Sequence, residues 1–225
     1  MPSFPPLDPR QTGAPKGEWQ PNFHLEPRVR EFGFFPDVAQ LRPGDLILTQ
    51  DLAPDAVSRA IRNSQVQAGF TAAHSEWTHA AMYLGDGEQL VEATFDWNKS
   101  GVQVAPLGNY VGSHLLRFRR PLDLSDEQRW LMVVEAVSYV RRGYNFKSLI
   151  PAWLRMRRGF WRSGPKLPQP DKIDRAFVCS TLYARAFSRI SGWAIDRRVD
   201  VHVPATLSQA PLLEDVQVGW MRIAN

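Results

Sequence analysis

Residues 77–94 read WTHAAMYLGDGEQLVEAT. Two runs rich in apolar and aromatic residues flank Gly85-Asp86-Gly87, and this combination predicts a β-hairpin. The first run carries His79 and the second carries Glu92. Alternation along the first strand puts Trp77, His79, Ala81 and Tyr83 on one face. Two registers are open. A four-residue loop over residues 84–87 sets Tyr83 against Glu88 and His79 directly across from Glu92, with Cβ atoms about 4.5–5.5 Å apart. A two-residue Asp86-Gly87 turn sets Thr94 across from His79 instead. A glutamate in the apolar run LVEAT is costly if buried alone, so Glu92 is expected either to be paired or to face solvent.

The flanking segments supply the rest of a sheet. LRPGDLILTQ (residues 41–50) predicts a Pro-Gly turn and a buried strand from Asp45 to Gln50. Residues 54–66 begin with Pro54 near a first helical position and space Ala56, Val57, Ala60 and Ile61 as a helix would. GVQVAPL (101–107) and HLLRFRRP (114–121) read as two further strands. SDEQRWLMVVEAVSYVRRG (125–143) predicts a long helix capped by Ser125 or Asp123. Residues 144–163 read as partly helical, with a restart at Pro151, and SGPKLPQPDK (163–172) as a loop. FVCSTLYARAF (177–187) is a short strand or turn running into an amphipathic helix, and residues 201–225 are loop with one strand. The order of elements is α+β: an antiparallel sheet of about five strands packed against helices. The proline-rich residues 1–38 are expected to form an irregular arm. Residues 39–225 are expected to form one domain with a basic, aromatic-rich insert at about 145–175.

Composition narrows the function. The chain has 225 residues, 44% of them hydrophobic, with eight Trp and twelve Phe, enough for a sizeable core. No run of 18 apolar residues suggests a membrane span. The N-terminal stretch lacks the basic and apolar regions of a secretory signal, so the expected location is cytoplasmic by default, with signal-less export left open. The single cysteine, Cys179, rules out an internal disulfide and cysteine-rich zinc sites. The common nucleotide, metal and calcium motifs are absent, and His74 and His79, five apart, do not form a standard ligand spacing; neither a cofactor nor a metal is expected. No GxSxG string offers a serine nucleophile.

Cys179 at a helix start feels the positive end of the helix dipole and unpaired N–H groups, which favour thiolate. It is either a small core residue or a nucleophile. A nucleophile needs a base and a group to orient that base. Of the five histidines, His79 lies on a rigid strand, and Glu92 is its natural orienter; the plain alternative is a structural cross-strand pair.

Taken in order, LRPGDLILT, WTHAAMYLGDGEQLVEAT, GVQVAPLGNY and FVCSTLYARAF resemble the circularly permuted NlpC-like papain-fold cysteine hydrolases, a group related to the lecithin–retinol acyltransferase-like proteins. In that permuted group the His strand precedes the Cys helix by about a hundred residues, as here. The resemblance covers residues 41–118 and 176–190. It implies a permuted papain-like fold with Cys179 as nucleophile, His79 as base and Glu92 as third member of the site. Reversed chain order is no obstacle, because such triads are defined by geometry.

The implied chemistry is attack of the Cys179 thiolate on a carbonyl, giving a thioester that water or another acceptor resolves. The Cys179 N–H is the expected oxyanion donor, with Tyr144 and Trp77 as further oxyanion or substrate candidates. The substrate is expected to be a cell-wall-type peptide amide or a lipid acyl ester. The alternatives are a lipid acyltransferase or phospholipase-type enzyme at a membrane surface, and a catalytically silent binding module. Residues 136–170 carry eight Lys/Arg and no acid, which makes that segment +8 and leaves −4 for the rest of the chain. Within it, Trp153, Arg155, Arg157, Arg158 and Trp161 suit peripheral contact with an anionic membrane or cell-wall surface; a packed helix with a basic solvated face is the plain alternative. Nucleic acid is not the expected partner, since no module signature accompanies the basic patch.

Overall fold

The hairpin read from residues 77–94 lies inside a six-stranded sheet. A computed structural model describes residues 17–21, 23–94, 101–140, 179–195 and 202–224, and in these the chain is α+β. The N-terminal elements are β1 (Glu18–Trp19), α1 (Pro27–Phe32) and β2 (Phe34–Pro36). They are followed by β3 (Leu46–Asp51), α2 (Ala56–Gln67), α3 (Ala72–Ser75), β4 (His79–Tyr83), β5 (Gln89–Thr94), β6 (Gly101–Pro106) and β7 (His114–Pro121). The C-terminal half contributes α4 (Asp126–Val137), α5 (Cys179–Ser191), α6 (Pro204–Gln209), β8 (Leu213–Asp215) and β9 (Trp220–Ile223). The large sheet has the order β6-β5-β4-β3-β7-β8 with every neighbouring pair antiparallel. The five anticipated strands form it, and the short β8 adds an edge. Among the described residues, no helix is long and apolar enough to cross a membrane.

Both faces of this sheet are covered. Leu46, Leu48, Ala80, Met82, Val91 and Ala93 pack under α4 and α5, against Met132, Ala136, Leu182 and Phe187. On the other face Ile47, Ala81, Tyr83, Leu90 and Phe118 pack against Val29, Phe35, Trp220 and Ile223. The unbroken apolar run Leu46-Ile47-Leu48 is therefore the signature of a strand buried on both sides rather than on one.

The Pro-Gly-Asp turn before β3 fixes the layers to one another. Gly44 takes φ 80°, a left-handed conformation that favours glycine, and its N–H donates to the Tyr83 carbonyl at 2.9 Å. Asp45 is fully buried. Its carboxylate accepts from the Arg42 N–H at 2.9 Å, from Arg120 at 2.6 and 3.0 Å and from Arg129 at 3.4 Å. One buried acid thus ties β3 to β7 and α4, and the cations around it compensate its desolvation.

Several expectations are corrected. The arm is not irregular throughout: β1 and β2 flank β9 in a separate three-stranded sheet, β1 parallel and β2 antiparallel to it. The C-terminal stretch holds a helix and two strands rather than one strand. α2 starts after Asp55, whose side chain caps it by accepting from the Ser58 N–H at 2.7 Å, so Pro54 precedes the cap. The buried face of α2 is Ser64 and Gln65, with Val57 exposed, because Gln65 spans to the carbonyls of Ser75 and Trp77. Ser125, not Asp123, caps α4, in a reciprocal box with Gln128. The described part of that helix ends at Val137 and continues as turn to residue 140.

Of the two hairpin registers left open, the strands take the one that runs His79 toward Thr94, not the one that sets His79 opposite Glu92. Ala81 pairs with Glu92 and Tyr83 with Leu90, and the Leu84 N–H closes the loop on Gln89. The loop is residues 85–88. Asp86 organises it by accepting from the N–H groups of Glu88 and Gln89, at 3.0 and 2.7 Å.

Candidate active site

His79 is the first residue of β4 and pairs with Thr49 of β3. In the observed register Glu92 is its diagonal neighbour on the sheet, a separation that two long side chains can span. His79 Nε2 lies 2.8 Å from Glu92 Oε2. The carboxylate is 3% exposed and has two further donors. Gln103 Nε2 donates to Oε1 at 3.0 Å, and the Tyr110 hydroxyl donates to Oε2. Glu92 is thus the paired, buried glutamate, as the cost of desolvation requires. Burial alone would raise its pKa; His79 first, then Tyr110 and Gln103, outweigh that and hold it down at about 2.

Cys179 reaches the same place from the opposite layer. The described part of α5 begins with it. Ser180 donates to the carbonyl of His202 at 2.6 Å, and one turn later Tyr183 donates to the carbonyl of Gly44 at 3.0 Å. Leu182 and Ala186 press the helix onto the sheet. The thiol, in a residue 7% exposed, comes within hydrogen-bonding reach of His79. Glu92 occupies Nε2 of that ring, which leaves Nδ1 for the sulfur. The β4–β5 ladder starts only at Ala81, and the Ala80 N–H donates to the Cys179 sulfur, as does that of Ser180.

The electrostatics of the three groups are mutual. Burial by itself would raise the thiol's pKa, but the neighbouring imidazole and the two backbone N–H groups bring it below the ordinary value. Burial likewise pulls His79 down, and Cys179 and then Glu92 reverse it, raising the ring to about 10. Both shifts run toward the charged forms, a thiolate beside an imidazolium that the Glu92 carboxylate holds. The His79 ring is 20% exposed and provides the contact between this arrangement and solvent.

The remaining anticipated residues divide in two. Trp77 is a core side chain. It precedes β4 rather than belonging to it, so strict alternation with His79 fails, and it packs on the helix side of the sheet with the Arg117 guanidinium 6.0 Å from its ring. Tyr144, Trp153, Arg155, Arg157, Arg158 and Trp161 lie outside the described residues. Gln103, Tyr110 and a second pair, His114 Nε2 on Asp51 Oδ1 at 2.7 Å, escaped the sequence reading. Gln103 faces Glu92 directly across the β5–β6 ladder. The hint for it was a polar residue at the middle of the apolar run VQVA, but the length of the connection at 95–100 leaves that register unspecified. Among the described residues, no group of three or more His, Cys, Asp or Glu side chains could hold a metal ion.

No family model matches the chain, and no curated protein and no solved structure matches it.

Proposed function

We propose that the chain is a cysteine hydrolase of the permuted papain-like kind, cleaving an amide or acyl-ester bond through a thioester. The observation that carries this reading is the placement of one imidazole between a thiol and a buried carboxylate, with the three residues drawn from two strands and a helix. The antiparallel sheet, and the order of His strand, Glu strand and Cys helix, support the permuted architecture.

In this mechanism His79 takes the Cys179 proton through Nδ1, and Glu92 steadies the imidazolium through Nε2. The thiolate attacks the substrate carbonyl, and the backbone N–H of Cys179 is the proposed donor to the oxyanion. Collapse expels the amine or alcohol, which takes the proton from His79. Water, deprotonated by the same ring, then cleaves the thioester, releasing the acid and regenerating the thiol. The substrate class is the one the resemblance implies: a cell-wall-type peptide amide or a lipid acyl ester.

The test is incubation of wild type and Cys179→Ala with peptidoglycan fragments and, separately, with phospholipid vesicles, followed by mass spectrometry. Cys179-dependent cleavage of stem peptides selects the amidase, and Cys179-dependent fatty acid release selects the esterase. Absence of both, with an inert thiol, contradicts the proposal.

A further inference from the structure

We propose that Tyr110 is a positioning residue of this site, one that locks the Glu92 carboxylate and the His79 ring into a fixed relation; the proposal rests on the hydrolase reading above. The Tyr110 hydroxyl and His79 Nε2 meet at the same oxygen of Glu92, while Gln103 holds the other oxygen. The terminal torsion of a glutamate is soft. With only His79 attached, the carboxylate could rotate and carry the imidazole with it. Gln103 on Oε1 and Tyr110 as a second donor on Oε2, beside His79, restrict that rotation together. The Tyr110 ring also lies nearly parallel to the imidazole, with centroids 5.6 Å apart and planes at 22°, so it shields one face of the ring and opposes tilting.

Tyr110 is itself held from three sides. It follows a 3₁₀ turn at Leu107–Asn109, and its N–H donates to the Leu107 carbonyl at 3.0 Å. From the N-terminal segment, Arg28 of α1 donates to the carbonyls of Gly108 and Asn109, at 3.2 and 2.7 Å. On the far side the edge of His114 meets the Tyr110 ring at 5.0 Å, with His114 fixed by Asp51. The charged groups around the hydroxyl and its ring are therefore Glu92, His79, Cys179, His114, Asp51 and Arg28. A tyrosine present only for packing has no need to put its hydroxyl on the carboxylate that serves the histidine. Burial and Glu92 push the hydroxyl well above its ordinary pKa, so it stays a donor throughout the working range.

Tyr110→Phe keeps the ring and removes the donor. The readout is the pH dependence of Cys179 alkylation by iodoacetamide, with Arg28→Ala as a second, remote variant. In Tyr110→Phe the acid limb of the profile moves to higher pH, because Glu92 has lost a donor that keeps it ionised, and the plateau rate falls several-fold. Arg28→Ala moves the limb in the same direction by less, by loosening the turn. A Tyr110→Phe profile that superimposes on wild type, or that falls uniformly without moving its limb, overturns the positioning role. If Tyr110→Phe does not fold, an unmoved limb in Arg28→Ala overturns it. A wild-type thiol with no activated limb overturns the hydrolase reading and this proposal with it, so the two failures are distinct.

Discussion

Replacing Glu92 by Gln preserves the shape of the site and removes the carboxylate charge that faces His79. Three donors converge on this side chain, from His79, Gln103 and Tyr110. A carboxylate accepts all three. An amide offers one accepting oxygen and an NH₂. If that NH₂ faces His79, the ring must present a lone pair at Nε2 and carry its proton on Nδ1, toward the thiol, where it cannot act as a base. The energetic loss can be bracketed. Forfeiting the charge assistance of one hydrogen bond costs about 1–2 kcal/mol. Losing the whole Coulomb attraction at about 4 Å and an effective dielectric near 20 costs about 4 kcal/mol. Glu92 is 3% exposed, so screening does not erase the effect. The thiolate–imidazolium population should fall by about 10-fold to 10³-fold. Cys179 is the only cysteine, so the mass gain on iodoacetamide treatment reports this one site. Alkylation in Glu92→Gln should slow by that factor near neutral pH. A rate within a factor of two of wild type from pH 5 to 8 would refute the argument that Glu92 holds the charged ring.

Asp45→Asn leaves Arg129 and Arg120 without their buried counter-charge and should destabilise the fold by about 3–5 kcal/mol in urea unfolding; a loss under 1 kcal/mol contradicts the role given to that turn. Ser125→Ala removes the reciprocal cap of α4 and should cost about 0.5–2 kcal/mol by the same measurement, without altering Cys179 reactivity. The site also shapes stability against pH. Glu92 is depressed from 4.5 to about 2, so its contribution is fully present above 4.5 and is lost as pH falls toward 2. His79 is raised from 6.5 to about 10, so its contribution is complete below 6.5 and is lost as pH rises through 10. The unfolding free energy of wild type minus that of Glu92→Gln should therefore be largest between about pH 4.5 and 6.5 and shrink on either side; a flat difference contradicts the assignment.

Local pattern made much of this legible. The strands of the large sheet announce themselves through apolar runs broken by Gly and Pro, and the start of α4 through its two candidate caps, of which the box with Gln128 selects Ser125. His79, Glu92 and Cys179 were readable because each puts chemistry where packing would prefer an apolar group. Three kinds of information were missing. The hairpin register depended on which loop residues Asp86 would organise, and a two-residue shift turned a direct pair into a diagonal one on the same face. The small sheet joins β1 and β2 to β9 across nearly the whole chain, so no local signal marks its strands. Tyr110 looked like punctuation between two strands. Only the fold, with Arg28 bracing its turn from α1, brings its hydroxyl to Glu92.

The central claim is that Cys179 is an activated thiol, and its most direct test compares native protein with protein unfolded in denaturant, each exposed to iodoacetamide at about pH 6. An ordinary cysteine, with a pKa near 8.5, is less than about 1% thiolate at that pH. The account predicts that the native protein gains its single adduct faster than the unfolded chain, and that His79→Ala abolishes the advantage. Native alkylation no faster than that of the unfolded chain would contradict it.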